Sequence, residues 1–180
     1  MTVEQRLDRL EEASEILQML FSQDLTTFEG TYYQLDDAPM QPKPLQQPLP
    51  LMIGGGGEKR TLRIVARFAD EWNVWGRPQD LIQKISVLER HCADVGRNMA
   101  EIQKSAVGLL IITESEEESA GIRESLGGRG GLVGTPGQLR SIVADYEAAG
   151  VDEIIVPDFA MAVEDRNDIL DRFRREVIDD

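Results

Sequence analysis

Thiols, imidazoles and positive charge are all scarce in this sequence. It has one cysteine, Cys92, and one histidine, His91, next to it. A single thiol excludes an internal disulfide and a thiolate metal site. Any other metal site would rest on scattered carboxylates, so no metal is expected. Basic residues number 19 against 33 acidic ones, a net charge of −14. Such a surface repels nucleic acid and anionic membrane, since phosphate backbones and headgroups are bound by Lys and Arg in excess. No apolar run approaches the ~20 residues that a bilayer span requires. The chain does not open on a basic segment followed by an apolar one, so no secretory leader is read and a reducing cytoplasm is the expected location. The chain has 180 residues, 41% hydrophobic and 29% charged, long enough for one domain, 1–180, with a real core.

Leu7, Leu10, Leu17, Leu20 and Phe21 recur at steps of three and four with charges between them, which predicts a helix over 3–22. TTFEGTYYQLD, residues 26–36, reads as a hairpin turning at Gly30. Five prolines within residues 39–50 then make a stiff, extended connection rather than a helix. These three pieces form a leading segment, 1–48.

From 49 onward a strand–helix rhythm sets in. Strands are expected at 49–53, 71–75, 105–113 and 151–158, with helices over 58–69, from Pro78 to about Val95, roughly 115–126, from Pro136 to Gly150, and 164–177. The expected inward residues are Leu62, Val65, Ala66 and Ala69 on the first of these helices and Leu81, Ile85, Leu88 and Cys92 on the second. On the helix opened by Pro136 they are Leu139, Ile142, Val143 and Tyr146. Thr135 before Pro136 is a helix entry, and Gly96 and Gly150 are helix stops. Four strands alternating with helices predict an α/β fold of four parallel βα units over 49–180. That is the arc of a (β/α)8 barrel; a whole barrel needs at least ~200 residues.

The chemistry-bearing signal is PLMIGGGGEKRTLRIVA, residues 50–66. Glycine is entropically costly in ordered backbone, so four in a row at a strand-to-helix turn imply a close approach to the main chain. Gly54, Gly55, Gly56 and Gly57 end a strand on the face where barrel active sites lie, and their amides, with the helix that follows, suit an anion. The plain alternative is a tight turn that lets strand and helix pack. Lys59, Arg60, Arg63 and Arg67 lie beside this loop at helical spacing. Asn73, Trp75 and Gly76 end the next strand on the same face, Trp75 reading equally as a packing residue on the rim. Arg77 reads as a solvated loop charge.

GGRGGLVGTPGQL, residues 127–139, resembles a second phosphate loop but reads better as a helix entry preceded by a connector, Gly127–Gly131, with a lid over the active face as the open alternative. Glu114 and Asp158 end strands on the active face and read as caps or solvated residues, with substrate contact the less favoured role. SEEES, 115–119, is an acidic first helical turn. His91 and Cys92, neighbours on a helix, point about 100° apart; a surface histidine beside a core cysteine is the better reading than a Cys–His nucleophile.

RLDRLEEASEIL, FEGTYYQLDDAPMQPKP, PLMIGGGGEKRTLRIVARFADEWN and VGTPGQLRSIVADYEAAGVDEIIV occur in this order over nearly the whole chain. In that series the sequence resembles the C-terminal half of the luciferase-like monooxygenase family, particularly the branch that uses the deazaflavin coenzyme F-420. The resemblance implies a partial TIM (β/α)8 barrel holding strands five to eight, and a flavin- or deazaflavin-dependent oxidoreductase that transfers hydride or activates oxygen. The implied cofactor is coenzyme F-420 or flavin mononucleotide (FMN), its phosphate held at Gly54, Gly55, Gly56 and Gly57 with Asn73, Trp75 and Gly76 nearby. No catalytic residue is assigned, because the family's first four strands usually supply those side chains. An open half-barrel leaves strand edges unpaired, so a homo-oligomer, most simply a dimer, or a separate N-terminal half-barrel is expected as partner. The alternative function is a non-catalytic family member that acts as a self-associating assembly module.

Overall fold

Leu62, Val65, Ala66 and Ala69, the apolar stripe read from the sequence, have no solvent exposure in a computed structural model of the chain. The structure describes residues 1–127 and 130–179, apart from the side chain of Ala160. The chain divides into two compact units.

The first unit comprises Met1–Ile53, Gly57–Glu71 and Leu88–Ile102. Helix α1 (Val3–Ser22) begins at a capping box in which Thr2 and Gln5 satisfy each other's backbone N–H groups. Its apolar face is largely half-buried, with Leu17 exposed. Strands β1 (Leu25–Glu29) and β2 (Gln34–Pro39) pair antiparallel, as the hairpin reading expects. The turn is fixed by the Glu12 carboxylate of α1, which accepts from the amides of Thr31, Tyr32 and Tyr33 at 2.8, 2.9 and 3.0 Å. A Cβ on Gly30 would lie 2.4 Å from Glu12 Oε2, which explains glycine at that turn. Lys43 then ties the proline-rich connection to the end of α1, donating to the carbonyls of Leu20 at 2.8 Å and of Gln23.

Helix α2 (Thr61–Phe68) starts three residues later than the sequence predicts, because residues 58–60 form a turn and Arg60 supplies no side-chain cap. Its last carbonyls are covered by side chains: Gln18 donates to Phe68 O at 2.9 Å and Arg97 to Ala69 O at 2.7 Å. Arg60 pairs with Asp8 at 2.7 Å and with Glu11 at 3.2 Å, and Arg67 also meets Glu11. Two of the four cations flagged beside the glycine run are thus held by carboxylates of α1.

The second unit comprises Gly54–Gly56, Trp72–Val87 and Gln103–Asp180. Strands β3 (Met52–Gly54), β4 (Glu71–Trp75), β5 (Gln103–Val107) and β8 (Glu153–Ile155) form one four-stranded sheet in that chain order, β5 and β8 running parallel with Ala106 opposite Ile154. Trp72 and Val74 are buried by alternation along β4, whereas β5 is buried on both faces at Ser105, Ala106 and Val107. Helix α3 (Pro78–Asp94) follows β4 and buries Leu81 and Val87 here, while its residues from Leu88 on, with Leu88 and Cys92 buried, belong to the first unit. After β6 (Leu109–Ile112) comes α4 (Glu116–Ser125), opened by Ser115, whose side chain accepts from Glu118 N at 3.2 Å. Strand β7 (Gly131–Gly134) leads into α5 (Pro136–Ala148), and α6 (Arg166–Phe173) runs into a π-helical end over Arg174–Ile178.

Two features depart from the expected pattern. The single strand at 105–113 is divided at Gly108: the Gly108 amide bonds Ile155 O at 3.1 Å, while the next residues pair parallel with β7 from Leu109↔Gly131 to Ile112↔Gly134. A Cβ on Gly108 would sit 3.5 Å from Gly131 Cα, so the partners change where both ribbons are bare. Second, Gly131 and the three residues after it form β7 instead of a connector. Of the 127–131 segment, Gly128 and Arg129 lie outside the described residues. The entry at Thr135–Pro136 is as expected, with Gln138 Oε1 accepting from Thr135 N at 3.1 Å.

Candidate functional site

The glycine run leaves β3, and a hydrogen bond from Gly55 N to Asn73 O of 2.9 Å ties it to β4. Gly55 has φ +127°, a conformation that L side chains rarely adopt. Two side-chain donors hold the following carbonyls: the Trp72 indole Nε1 donates to Gly55 O at 2.8 Å, and Lys84 Nζ donates to Gly56 O at 2.7 Å.

That pair of bonds decides where the amides point. A trans peptide unit sets its C=O and N–H on opposite sides, and cis bonds among the described residues occur only before Pro42 and Pro48. With the Gly55 and Gly56 carbonyls drawn to Trp72 and Lys84, the N–H groups of Gly56 and Gly57 face the other way. Peptide donors of a glycine loop that point away from the contacts of their own carbonyls suit an anion. A Cβ on Gly56 would press at 3.4 Å on Lys84 Cε, Lys84 Nζ and Val74 Cγ2. Gly57 belongs to the first unit: its carbonyl accepts from Leu62 N at 3.0 Å, and a Cβ there would lie 2.8 Å from Thr61 Oγ1.

The end of β4 is fixed by different means. Asn73 Nδ2 donates to Ser105 Oγ at 2.9 Å, and Trp75 is 43% exposed. Gly76 O accepts from the Tyr146 hydroxyl of α5 at 2.8 Å. Burial pushes the Tyr146 hydroxyl up to about 12, with the nearby Asp80 charge adding to it, so it is a protonated donor at any neutral pH. Arg77 grips Asp80 through two bonds, of 2.7 and 3.0 Å. Gly54, Gly55, Gly56, Asn73, Trp75 and Gly76 therefore lie together on two adjacent strand ends of one unit.

The remaining sequence candidates serve structure. Glu114 pairs with Arg172 at 2.8 Å and Asp158 with Arg166 at 2.7 Å. Cys92 is 1% exposed, and burial raises its thiol pKa, the wrong direction for a thiolate nucleophile. His91 Nε2 lies 2.8 Å from the Glu58 carbonyl, which only accepts, so that nitrogen carries the proton. The imidazole is half-buried rather than a free surface group.

Trp72, Lys84 and Tyr146 are the residues that sequence reasoning missed. Of the three, only Tyr146 read as an inward residue, and Trp72 and Lys84 carried no signal of their own. No pattern announces that each donates to a main-chain carbonyl of the glycine loop or the β4 end. Among the described residues, no group of three potential metal ligands occurs and no helix is long and apolar enough to cross a membrane.

Comparison with known proteins fits these strand ends into a wider group. The FMNH2-dependent dimethylsulfone monooxygenase of Pseudomonas putida is 25% identical over 193 residues, covering 84% of this chain and 53% of that protein. The F420-dependent glucose-6-phosphate dehydrogenase of Kineococcus radiotolerans is 42% identical over 53 residues, 29% of this chain and 15% of the enzyme. The chain thus spans about half or less of the length of these relatives. Among solved structures, monooxygenase RslO1 from Streptomyces bottropensis superposes with a TM-score of 0.80 at 15% identity, over 99% of this chain and 63% of that one. That likeness shows a shared α/β fold. The model of the luciferase-like monooxygenases matches residues 1–121, and the chain belongs to that family.

Proposed function

We propose that this chain is a flavin- or deazaflavin-dependent oxidoreductase of luciferase-like type, or the part of one that holds the cofactor's phosphate end. The observation that carries the reading is the glycine loop, whose Gly55 and Gly56 carbonyls are bound by Trp72 and Lys84. Its outward amides would take the phosphate of coenzyme F-420 or FMN, with Asn73, Trp75 and Gly76 along the rest of the cofactor. Relatives named for F420 and for FMNH2 support both cofactors. The bound group would supply the redox chemistry, as hydride transfer or monooxygenation of a small-molecule substrate; this chain's residues bind and orient it.

The same reading carries an assembly. β3 and β8 stand at the two ends of the four-strand order, and strand ends of this kind invite further strands. Met52 on β3 is 48% exposed. A partial barrel of four βα units, closed by a second copy or by an N-terminal half-barrel, accounts for both features.

Titration of the purified chain with F-420 and with FMN, followed by fluorescence and light scattering on one sample, tests the reading. Saturable binding at micromolar concentration by an associated protein is expected, and the tighter ligand identifies the cofactor. A folded chain that binds neither would refute it.

A further inference from the structure

We infer that Lys84 is a positioning residue that gives the glycine loop a preference for a phosphorylated ligand over its dephosphorylated counterpart. The inference rests on the phosphate reading proposed above. Lys84 lies on α3 one turn beyond Leu81, which has no solvent exposure and anchors the helix. The ammonium is therefore carried by a fixed element and not by the loop it touches. Its Nζ donates to Gly56 O at 2.7 Å, and the lysine side chain runs 3.4 Å from the place a Gly56 Cβ would occupy.

Two effects follow from that placement. The bond holds the Gly56–Gly57 peptide with its N–H turned away from Lys84, and an ionic partner on the carbonyl polarises the same peptide, which strengthens its N–H as a donor. The ammonium itself also lies behind the loop, half-buried and so screened less by salt than an exposed lysine. Both effects act far more strongly on an anion at the outward amides than on a neutral alcohol there. Glycines without this cation would form a turn of the same shape with little charge preference.

The test compares FMN with riboflavin, which share a ring system and differ by the phosphate. Dissociation constants are read from flavin fluorescence with the full chain, its Lys84→Met and its Lys84→Arg variants. The unvaried chain is expected to bind FMN at least about tenfold more tightly than riboflavin. Lys84→Met should weaken FMN about tenfold while riboflavin moves less than about twofold, and Lys84→Arg should restore most of the loss. An unchanged FMN-to-riboflavin ratio in Lys84→Met, or an equal loss for both ligands, would overturn the role of Lys84. If the unvaried chain showed no preference, the phosphate reading itself would fall, so the two failures are told apart.

Discussion

The Tyr146 hydroxyl of α5 donates to the carbonyl oxygen of Gly76 at 2.8 Å, tying a helix seventy residues along the chain to the end of strand β4. The ring is buried, and the space beside the bond is so tight that a Cβ on Gly130 would meet Gly76 O at 2.0 Å and the Tyr146 oxygen at 2.7 Å. This contact, with those of Trp72 and Lys84, sets the two strand ends by donors that reach main-chain carbonyls.

Tyr146→Phe keeps the ring and orphans the Gly76 carbonyl. A loss of about 1–3 kcal/mol in unfolding free energy is expected, measured by urea denaturation. Titration gives a second signature. The folded pKa of about 12 lies above the unfolded value of about 10, so the stabilisation is complete below pH 10. It is lost as pH rises from 10 toward 12, because the unfolded chain ionises first. The Phe variant should lack that component of the alkaline decline; identical alkaline profiles would contradict the assignment.

Trp72→Phe removes the indole donor to Gly55 O and retains most of the buried ring. We expect destabilisation of about 1–3 kcal/mol, from an unpaired carbonyl and a smaller side chain. Flavin affinity should fall more than a control such as Leu139→Val, equally deep in the core but away from the loop. Affinity in Trp72→Phe no lower than in that control would show that the indole does not orient the loop.

Glu12 gathers three amides of the hairpin turn on one carboxylate. Glu12→Ala leaves those donors to water and opens space beside Gly30, and a cost of about 1–3 kcal/mol is expected. Hydrogen exchange at Thr31, Tyr32 and Tyr33 should accelerate, while amides of the second unit keep their protection. Unchanged exchange at the turn would contradict the role given to Glu12.

Cys92 is buried, with its thiol pKa raised chiefly by that burial. The native chain should therefore resist a thiol reagent such as Ellman's at neutral pH and titrate one thiol only when denatured. Rapid reaction of the native chain would revive the Cys–His reading.

Much of the fold is legible in the sequence because burial imposes a period. Leu62, Val65, Ala66 and Ala69 recur at helical steps and are all fully buried, and the strands around Ile53, Val74, Ala106 and Ile154 take their places in chain order. The hairpin was readable from Gly30 between aromatic runs. Strand β7 was not, because Gly131 and Gly134 in a glycine-rich stretch carry a turn signature and pairing with β6 overrides it. Nor was the break at Gly108, since the run SAVGLLIIT is apolar on both sides of the change of partner. Of the candidate site, the glycines and the β4 end were visible by residue type. The groups that orient them were invisible, because Trp72, Lys84 and Tyr146 act on backbone oxygens that no side-chain pattern encodes.

The central claim is that the outward amides of Gly56 and Gly57 hold a phosphate. The most direct measurement is FMN affinity of the unvaried chain against Gly56→Asp, with melting temperatures recorded on the same samples. The new carboxylate would enter the loop beside Lys84, pair with its ammonium and repel an incoming phosphate. The account predicts that FMN binding weakens by about a hundredfold or more, ~2.7 kcal/mol, while the melting temperature shifts by only a few degrees. Equal FMN affinity in the two folded proteins would contradict it.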